Sequence, residues 1–374
     1  MKKDALQKII DIIEIGRRLT LAQTEEMLNV DPQKEEENFR NIVHSSRKLK
    51  AKLFSEKIFT IVPLYVTSIC QEHCIYCNYR AENKYQEIER LRLSDEELQK
   101  EIHFLASQGL RVIELVYATD PNFKLSHIIH HIKLTHRVLD EYGGGVVGIN
   151  SRPYSTQEYE KLKSAGLEFS VLWQECYDES RYKELHQGDT EKTNYDYRIE
   201  AQQRMIDGGI TSVGFGVLSG LHEWRKEWFA LFNHVQSILD KNKDSILSII
   251  LGIPRLKPAA GALLQRTDYV PTDKEYLLAI SVFNLLFPTA LPFINTRENW
   301  ELCLEIAKGG GALFTFNCRT IPGGYSLGRQ GYQFPTNDFR IDEYTKKLNG
   351  SGLQVVNNWN FQSINTMLTR KENI

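Results

Sequence analysis

The stretch FTIVPLYV (59–66), running directly into TSICQEHCIYCNYR (67–80), decides how this chain is read. The first part is apolar and rich in β-branched and aromatic residues, the pattern of a strand buried on both faces. No strand signal precedes Phe59. Seven further runs of this kind follow: RVIELVY (111–117), GVVGIN (145–150), LEFSVLW (167–173), TSVGFGVL (211–218), ILSIILGI (246–253), LPFIN (291–295) and ALFTF (312–316). Between them lie amphipathic, charge-rich segments such as LSDEELQKEIHFLASQG (93–109) and STQEYEKLKSAG (155–166), whose closing glycines suit helix C-termini. Buried strands alternating with helices predict a parallel sheet covered on both sides, and eight such units predict a closed (β/α)8 barrel. An open doubly wound sheet is the alternative, but no GxGxxG follows the first strand. Barrel chemistry sits at the C-terminal ends of the strands, which is where the cysteine-rich segment falls.

The flanks read differently. Residues 1–55 are predicted to form an N-terminal helical extension: Ile9, Ile10, Ile12, Ile13 and Ile15 recur among charges, and Thr20 with Gln23 has capping-box spacing. Residues 56–335 form the expected barrel. Residues 336–374 carry a short helix (342–349) and the strand-like QVVNNW (354–359), expected as a C-terminal extension packed on the barrel. The apolar stretch Tyr276 to Phe293 is broken by Ser281, Asn284, Pro288 and Pro292, so it reads as a buried helix entering a strand rather than a membrane span.

Of the 374 residues, 41% are hydrophobic and 25% charged, which sets aside disordered and fibrous classes. The formal charge of −2 shows no cationic excess for nucleic acid, and six Cys are too few for a disulfide scaffold. The N-terminus is charged throughout and lacks the apolar core of a signal peptide. The expectation is a cytoplasmic protein with neither a nucleic-acid nor a membrane partner.

Cys70, Cys74 and Cys77 form C-x3-C-x2-C. Three thiolates in one loop can converge on an iron–sulfur cluster and leave one iron without a protein ligand. Two other readings stand beside this one. A Cys3His zinc site could recruit His73, although structural zinc ligands usually fall into two spaced pairs; and the cysteines could be incidental. Cys176, Cys303 and Cys318 are isolated, and Cys303 reads as a small buried hydrophobe.

The triad, with Tyr79 two residues past its last cysteine, resembles the radical S-adenosylmethionine (SAM) superfamily. VPLYVTSICQEHCIYCNYR (62–80), VLWQECYDESRYKELH (171–186), the segment 194–225, IPRLKPAAG (253–261), NTRENWE (295–301) and CRTIPGGY (318–325) then fall in the order of its aromatic amino acid lyase group. That group holds the tyrosine lyase of thiamine biosynthesis, the hydrogenase-maturing tyrosine lyase and the tryptophan lyase. The resemblance spans roughly residues 20–360. It implies a [4Fe-4S] cluster on Cys70, Cys74 and Cys77, and SAM as source of a 5′-deoxyadenosyl radical. The reaction implied is Cα–Cβ cleavage of an aromatic L-amino acid, most simply tyrosine to 2-iminoacetate and p-cresol. A tryptophan-lyase-like or other carbon–carbon cleaving or rearranging reaction is the alternative. An external electron donor of flavodoxin or ferredoxin type and an acceptor protein for the product are implied partners. No Cys follows Cys318, so the second cluster of the hydrogenase-maturing member is not expected here.

Roles follow residue by residue. Glu175 could bind a ribose hydroxyl or an ammonium, and Arg198 a carboxylate; by resemblance both hold SAM, together with Tyr76, Tyr79, Thr119 and Asn150. Thr119 stands where the group usually has Glu, so Asp120 or backbone carbonyls are candidate substitutes for the ammonium contact. Arg297 is implied as the anchor of the substrate carboxylate, with Thr315, Tyr65 and Arg319 beside it. Asn78, Asn317 and Cys318 also depart from the group's pattern. Outside this family the candidate functions are a zinc-stabilised binding protein and a cluster-free barrel enzyme.

Overall fold

The computed structural model describes all residues except 1–2, 15–16, 18, 85–88, 246, 332, 335, 337–338 and 373–374. Ile15 and Ile246, used above to delimit a helix and a strand, lie outside the described residues. Three helices come first: α1 (Lys3–Glu14), α2 (Leu21–Leu28) and α3 (Glu36–Phe54). Thr20 and Gln23 do form the capping box that starts α2. The alternation then runs β1 (Lys57–Thr67), α4 (Asp95–Ser107), β2 (Val112–Tyr117), α5 (Leu125–Asp140), β3 (Val146–Asn150), α6 (Thr156–Ser164) and β4 (Phe169–Val171). It continues through α7 (Glu179–Leu185), α8 (Tyr195–Ile199), α9 (Ala201–Asp207), β5 (Ser212–Gly216), α10 (Trp224–Lys241) and β6 (Ser248–Gly252). Last come α11 (Asp273–Leu286), β7 (Leu291–Ile294), α12 (Trp300–Ala307) and β8 (Ala312–Thr315).

Each strand pairs in parallel with its neighbour in chain order, and β8 closes back onto β1 through Ile58–Ala312 to Ile61–Thr315. This is a (β/α)8 barrel. The helices α4 and α6 start at capping boxes on Ser94 and Ser155 and stop just before Gly109 and Gly166, both at positive φ. The apolar 276–293 segment is the end of α11 running into β7, and among the described residues no helix is long and apolar enough to cross a membrane.

Side chains alternate along every strand. On β1, Ile58, Val62, Leu64 and Val66 face the helices, while Phe59 and Ile61 face the lumen. On β2, Ile113 and Leu115 face outward, which turns Val112, Glu114 and Val116 inward. Large lumen residues on β4 and just past its end need glycine opposite them. A Cβ on Gly148 would sit 2.2 Å from the Phe169 ring, and one on Gly252 2.4 Å from the Trp173 ring.

The chain after the barrel forms α13 (Ile341–Gly350), β9 (Gln354–Val356) and α14 (Phe361–Glu372). β9 pairs with the first residues of β1. Trp359 and α14 then close the N-terminal end of the barrel: Trp359, Phe361, Ile364 and Leu368 share one core with Phe59, Ile61, Val112, Val146, Phe169, Ile250 and Leu313. The Trp359 indole donates to the Thr60 carbonyl at 2.8 Å. The last part of the tail thus fills an end of the lumen, while α13 packs Tyr344 against Trp300, Phe314 and Phe316 on the outer side of the barrel.

Candidate functional site

At the other end the lumen stays open. The loop after β1 is held from two sides. His73–Cys74 pairs antiparallel with His186–Gln187, and the Ile75 carbonyl accepts from the Leu263 and Leu264 amides at 2.7 and 2.9 Å. So fixed, the loop puts Cys70, Cys74 and Cys77 on the wall of one chamber. Cys77 Sγ accepts from the Tyr79 amide at 3.3 Å and the Gln333 side chain at 3.2 Å. Burial pushes the Cys70 thiol up to about 11 and the Cys74 thiol up to about 12. Sulfurs this poorly solvated want a cation, and a metal would hold them deprotonated.

His73 does not join them. Its imidazole pairs with the Glu82 carboxylate, and it does not line the chamber. Among the described residues no His, Cys, Asp or Glu group draws together tightly enough to hold a single metal ion. A cubane spreads its thiolates over several irons, so three thiols around a wide chamber suit it better than a compact tetrahedral site.

The same upper chamber collects the residues expected to hold SAM: Tyr76, Tyr79, Thr119, Asn150, Glu175 and Arg198. Glu175 has φ +71°, a conformation costly for a residue with a side chain and typical of functional loops. It lies 3.5 Å from the Lys192 ammonium, which also sits beside the Tyr76 ring. Arg198 is 6% exposed, and its guanidinium donates to the Trp173 carbonyl at 2.7 and 3.2 Å. Tyr76 bonds His186 at 2.8 Å, and Tyr79 donates to the Thr320 carbonyl at 2.6 Å. Asp120 cannot replace the missing Glu: its carboxylate is held by Arg92 at 2.7–2.9 Å and by the Thr67 hydroxyl at 3.0 Å.

A second chamber lies deeper, towards the plug. Tyr65, Asn150, Trp173, Arg297 and Phe334 line both. Arg297 packs its guanidinium over the Phe334 ring, 3.1 Å from the centroid. Burial works against its charge, and no carboxylate bonds to it among the described residues. The Tyr65 hydroxyl donates to Gln333 at 2.9 Å. Thr315 lines the deeper chamber but donates its hydroxyl to the Ile294 carbonyl at 3.2 Å. Arg319 lines neither chamber. Its backbone amide donates to the Tyr325 hydroxyl at 3.2 Å.

Three residues of the site escaped the sequence reading. Gln333 sits in a polar loop with nothing to mark it, and Lys192 in a surface-like stretch. Glu114 carried a signal, a lone charge inside the apolar run RVIELVY.

No family model matches the chain. It is 26% identical over 322 residues to the 2-iminoacetate synthase of Salmonella typhimurium, covering 84% of this chain and 81% of that protein. It is 27% identical over 336 residues to the 3-methylornithine synthase of Methanosarcina acetivorans, covering 88% and 89%. The crystal structure of HydG, a maturase of the [FeFe]-hydrogenase, superposes with a TM-score of 0.87 at 26% identity, over 96% of this chain and 77% of that one.

Proposed function

We propose that this chain, an enzyme of the radical SAM type and fold, cleaves the Cα–Cβ bond of an aromatic L-amino acid, most simply tyrosine to 2-iminoacetate and p-cresol. The observation that carries the reading is Arg297: a buried guanidinium to which no carboxylate bonds among the described residues, at the junction of a thiol-lined chamber and a deeper one. A buried cation is unfavourable until paired, and an amino acid carboxylate pairs with it in bidentate fashion. The likeness to a 2-iminoacetate synthase supports the same direction.

Cys70, Cys74 and Cys77 would hold the [4Fe-4S] cluster, with Tyr76, Tyr79, Thr119, Asn150, Glu175 and Arg198 around SAM. Held there, the cluster and SAM would supply radical chemistry for abstracting hydrogen from the substrate amino group. The protein's part is placement. Arg297 fixes the carboxylate, and Tyr65 stands at the level where the two chambers meet. Trp173, Phe293 and Phe334 give the deeper chamber apolar walls that keep water from a reactive intermediate. Along the chain, we assign 1–55 to bracing, 56–335 to chemistry and 336–374 to closing the lower end. The electron would come from an external flavodoxin- or ferredoxin-type donor, and the product would pass to an acceptor protein.

Anaerobic reconstitution with iron, sulfide, reductant, SAM and tyrosine tests the reading. The expected products are 5′-deoxyadenosine and p-cresol. Deoxyadenosine with tryptophan alone would move the chain to the tryptophan type, and none with any aromatic amino acid would refute the proposal.

A further inference from the structure

The deeper chamber holds a carboxyl group that the proposed mechanism does not use. Glu114 points inward from β2, one register step below Tyr65: Tyr65 pairs with Val116, and Pro63 with Glu114. It is 1% exposed. One carboxylate oxygen accepts from the Asn150 side chain at 2.9 Å. No cation meets Glu114 among the described residues, although Arg297 lines the same chamber. Round the barrel, β1 and β8 separate the two residues.

The chamber is therefore polar at two places. Arg297 marks one, together with the adjoining Thr296 hydroxyl, which is 1% exposed and has no hydrogen-bond partner among the described residues. Glu114 with Asn150 marks the other. The apolar rings of Trp173 and Phe293 line the chamber as well. Asn150 is the one hydrogen-bond donor seen on this buried carboxyl among the described residues, and a carboxyl so poorly solvated gains from a further donor that a ligand brings.

We infer that Glu114, oriented by Asn150, is the specificity residue that binds the far end of the substrate side chain, and that the substrate is an amino acid whose side chain ends in a hydrogen-bond donor. The inference rests on the reading of Arg297 as carboxylate anchor and deepens it. A phenol or an indole N–H would satisfy Glu114, and so would the ammonium of a basic amino acid. A phenylalanine side chain would leave the carboxyl unanswered. Sites built around such a bond reject the analogue that lacks it far more strongly than apolar pockets reject a missing methylene.

The test compares tyrosine, phenylalanine and ornithine as ligands of the reconstituted, SAM-loaded enzyme, by equilibrium binding. Tyrosine, or ornithine in its place, should bind at least about a hundredfold tighter than phenylalanine. In Glu114→Gln this preference should shrink to within about tenfold, with cluster content unchanged. Arg297→Gln should weaken all ligands alike, which separates failure of the anchor from failure of the specificity residue. Ornithine bound and tyrosine refused would overturn the tyrosine reading and leave the role of Glu114 standing. Equal binding of tyrosine and phenylalanine to the unmodified enzyme, a comparison that needs no variant, would overturn the role of Glu114. An unchanged preference in Glu114→Gln would do the same.

Discussion

The two ends of this barrel are built from the same eight strands and treated in opposite ways. At the N-terminal end the lumen is filled mainly by apolar side chains, Phe59, Ile61, Val112, Val146, Phe169 and Leu313, with Trp359 and Phe361 pressed among them. At the C-terminal end the inward positions are Tyr65, Glu114, Asn150 and Arg297, with three thiols above them. One end lowers the free energy by excluding water from hydrocarbon. The other holds polar groups away from water without full satisfaction, a state that destabilises the empty protein and favours a ligand. The plug makes that tolerable: the packed end secures the barrel while the open end carries unpaired charge.

Substitutions at the two ends should therefore separate activity from stability. The largest effect is expected at the thiols. Cys70→Ala, Cys74→Ala or Cys77→Ala should each abolish iron binding and deoxyadenosine formation and move the thermal midpoint of the iron-free protein little; full turnover in any one of them contradicts the assignment. Next comes Arg297→Gln, expected to lower kcat/KM by roughly 100- to 1,000-fold, about 3–4 kcal/mol, as for truncating one partner of a buried charge pair. Iron and SAM loading should stay normal, and a loss of either would mean that Arg297 supports the cofactor site instead.

At the packed end the expectation reverses. Trp359→Ala and Phe361→Ala should each destabilise the fold by about 3–5 kcal/mol, read by denaturant titration, with activity per folded molecule retained. A purely catalytic loss at either position would break the contrast between the two ends.

The smallest and most diagnostic effect concerns pH. Burial raises the Glu114 carboxyl to about 7, against an ordinary value near 4.5. The folded state thus holds this proton more tightly than the unfolded chain. Its contribution is fully favourable below about pH 4.5 and is lost as the pH climbs through about 7, by up to about 3 kcal/mol. Glu114→Gln removes that loss. Its stability relative to the unmodified protein should rise between pH 5 and pH 8, and a flat difference would show that Glu114 is better solvated than its position implies.

Much of the fold was legible because the strands are buried on both faces and their apolar runs are local. All eight runs became barrel strands, with ends displaced by at most two residues. The thiol loop was legible because three ligands lie within eight residues. Arg198, which an exposed helix could equally have carried, was harder: only the packing of α8 beneath the Trp173 carbonyl shows it buried. Asp120 and Arg319 looked like site residues by position. Arg92 holds the carboxylate of the first, and the second lines neither chamber.

By itself the sequence determined the number and order of strands, the cysteine loop and its place after the first strand, because hydrophobic period and ligand spacing are properties of neighbouring residues. Only the closed barrel decided that Glu114 and Arg297 share one chamber, that Gln333 meets both Cys77 and Tyr65, and that the tail plugs the lower end. Those meetings join residues as far apart as Thr60 and Trp359, 299 positions along the chain. They depend on strand register and closure, which set which inward side chains stand at one level, and no local pattern records that.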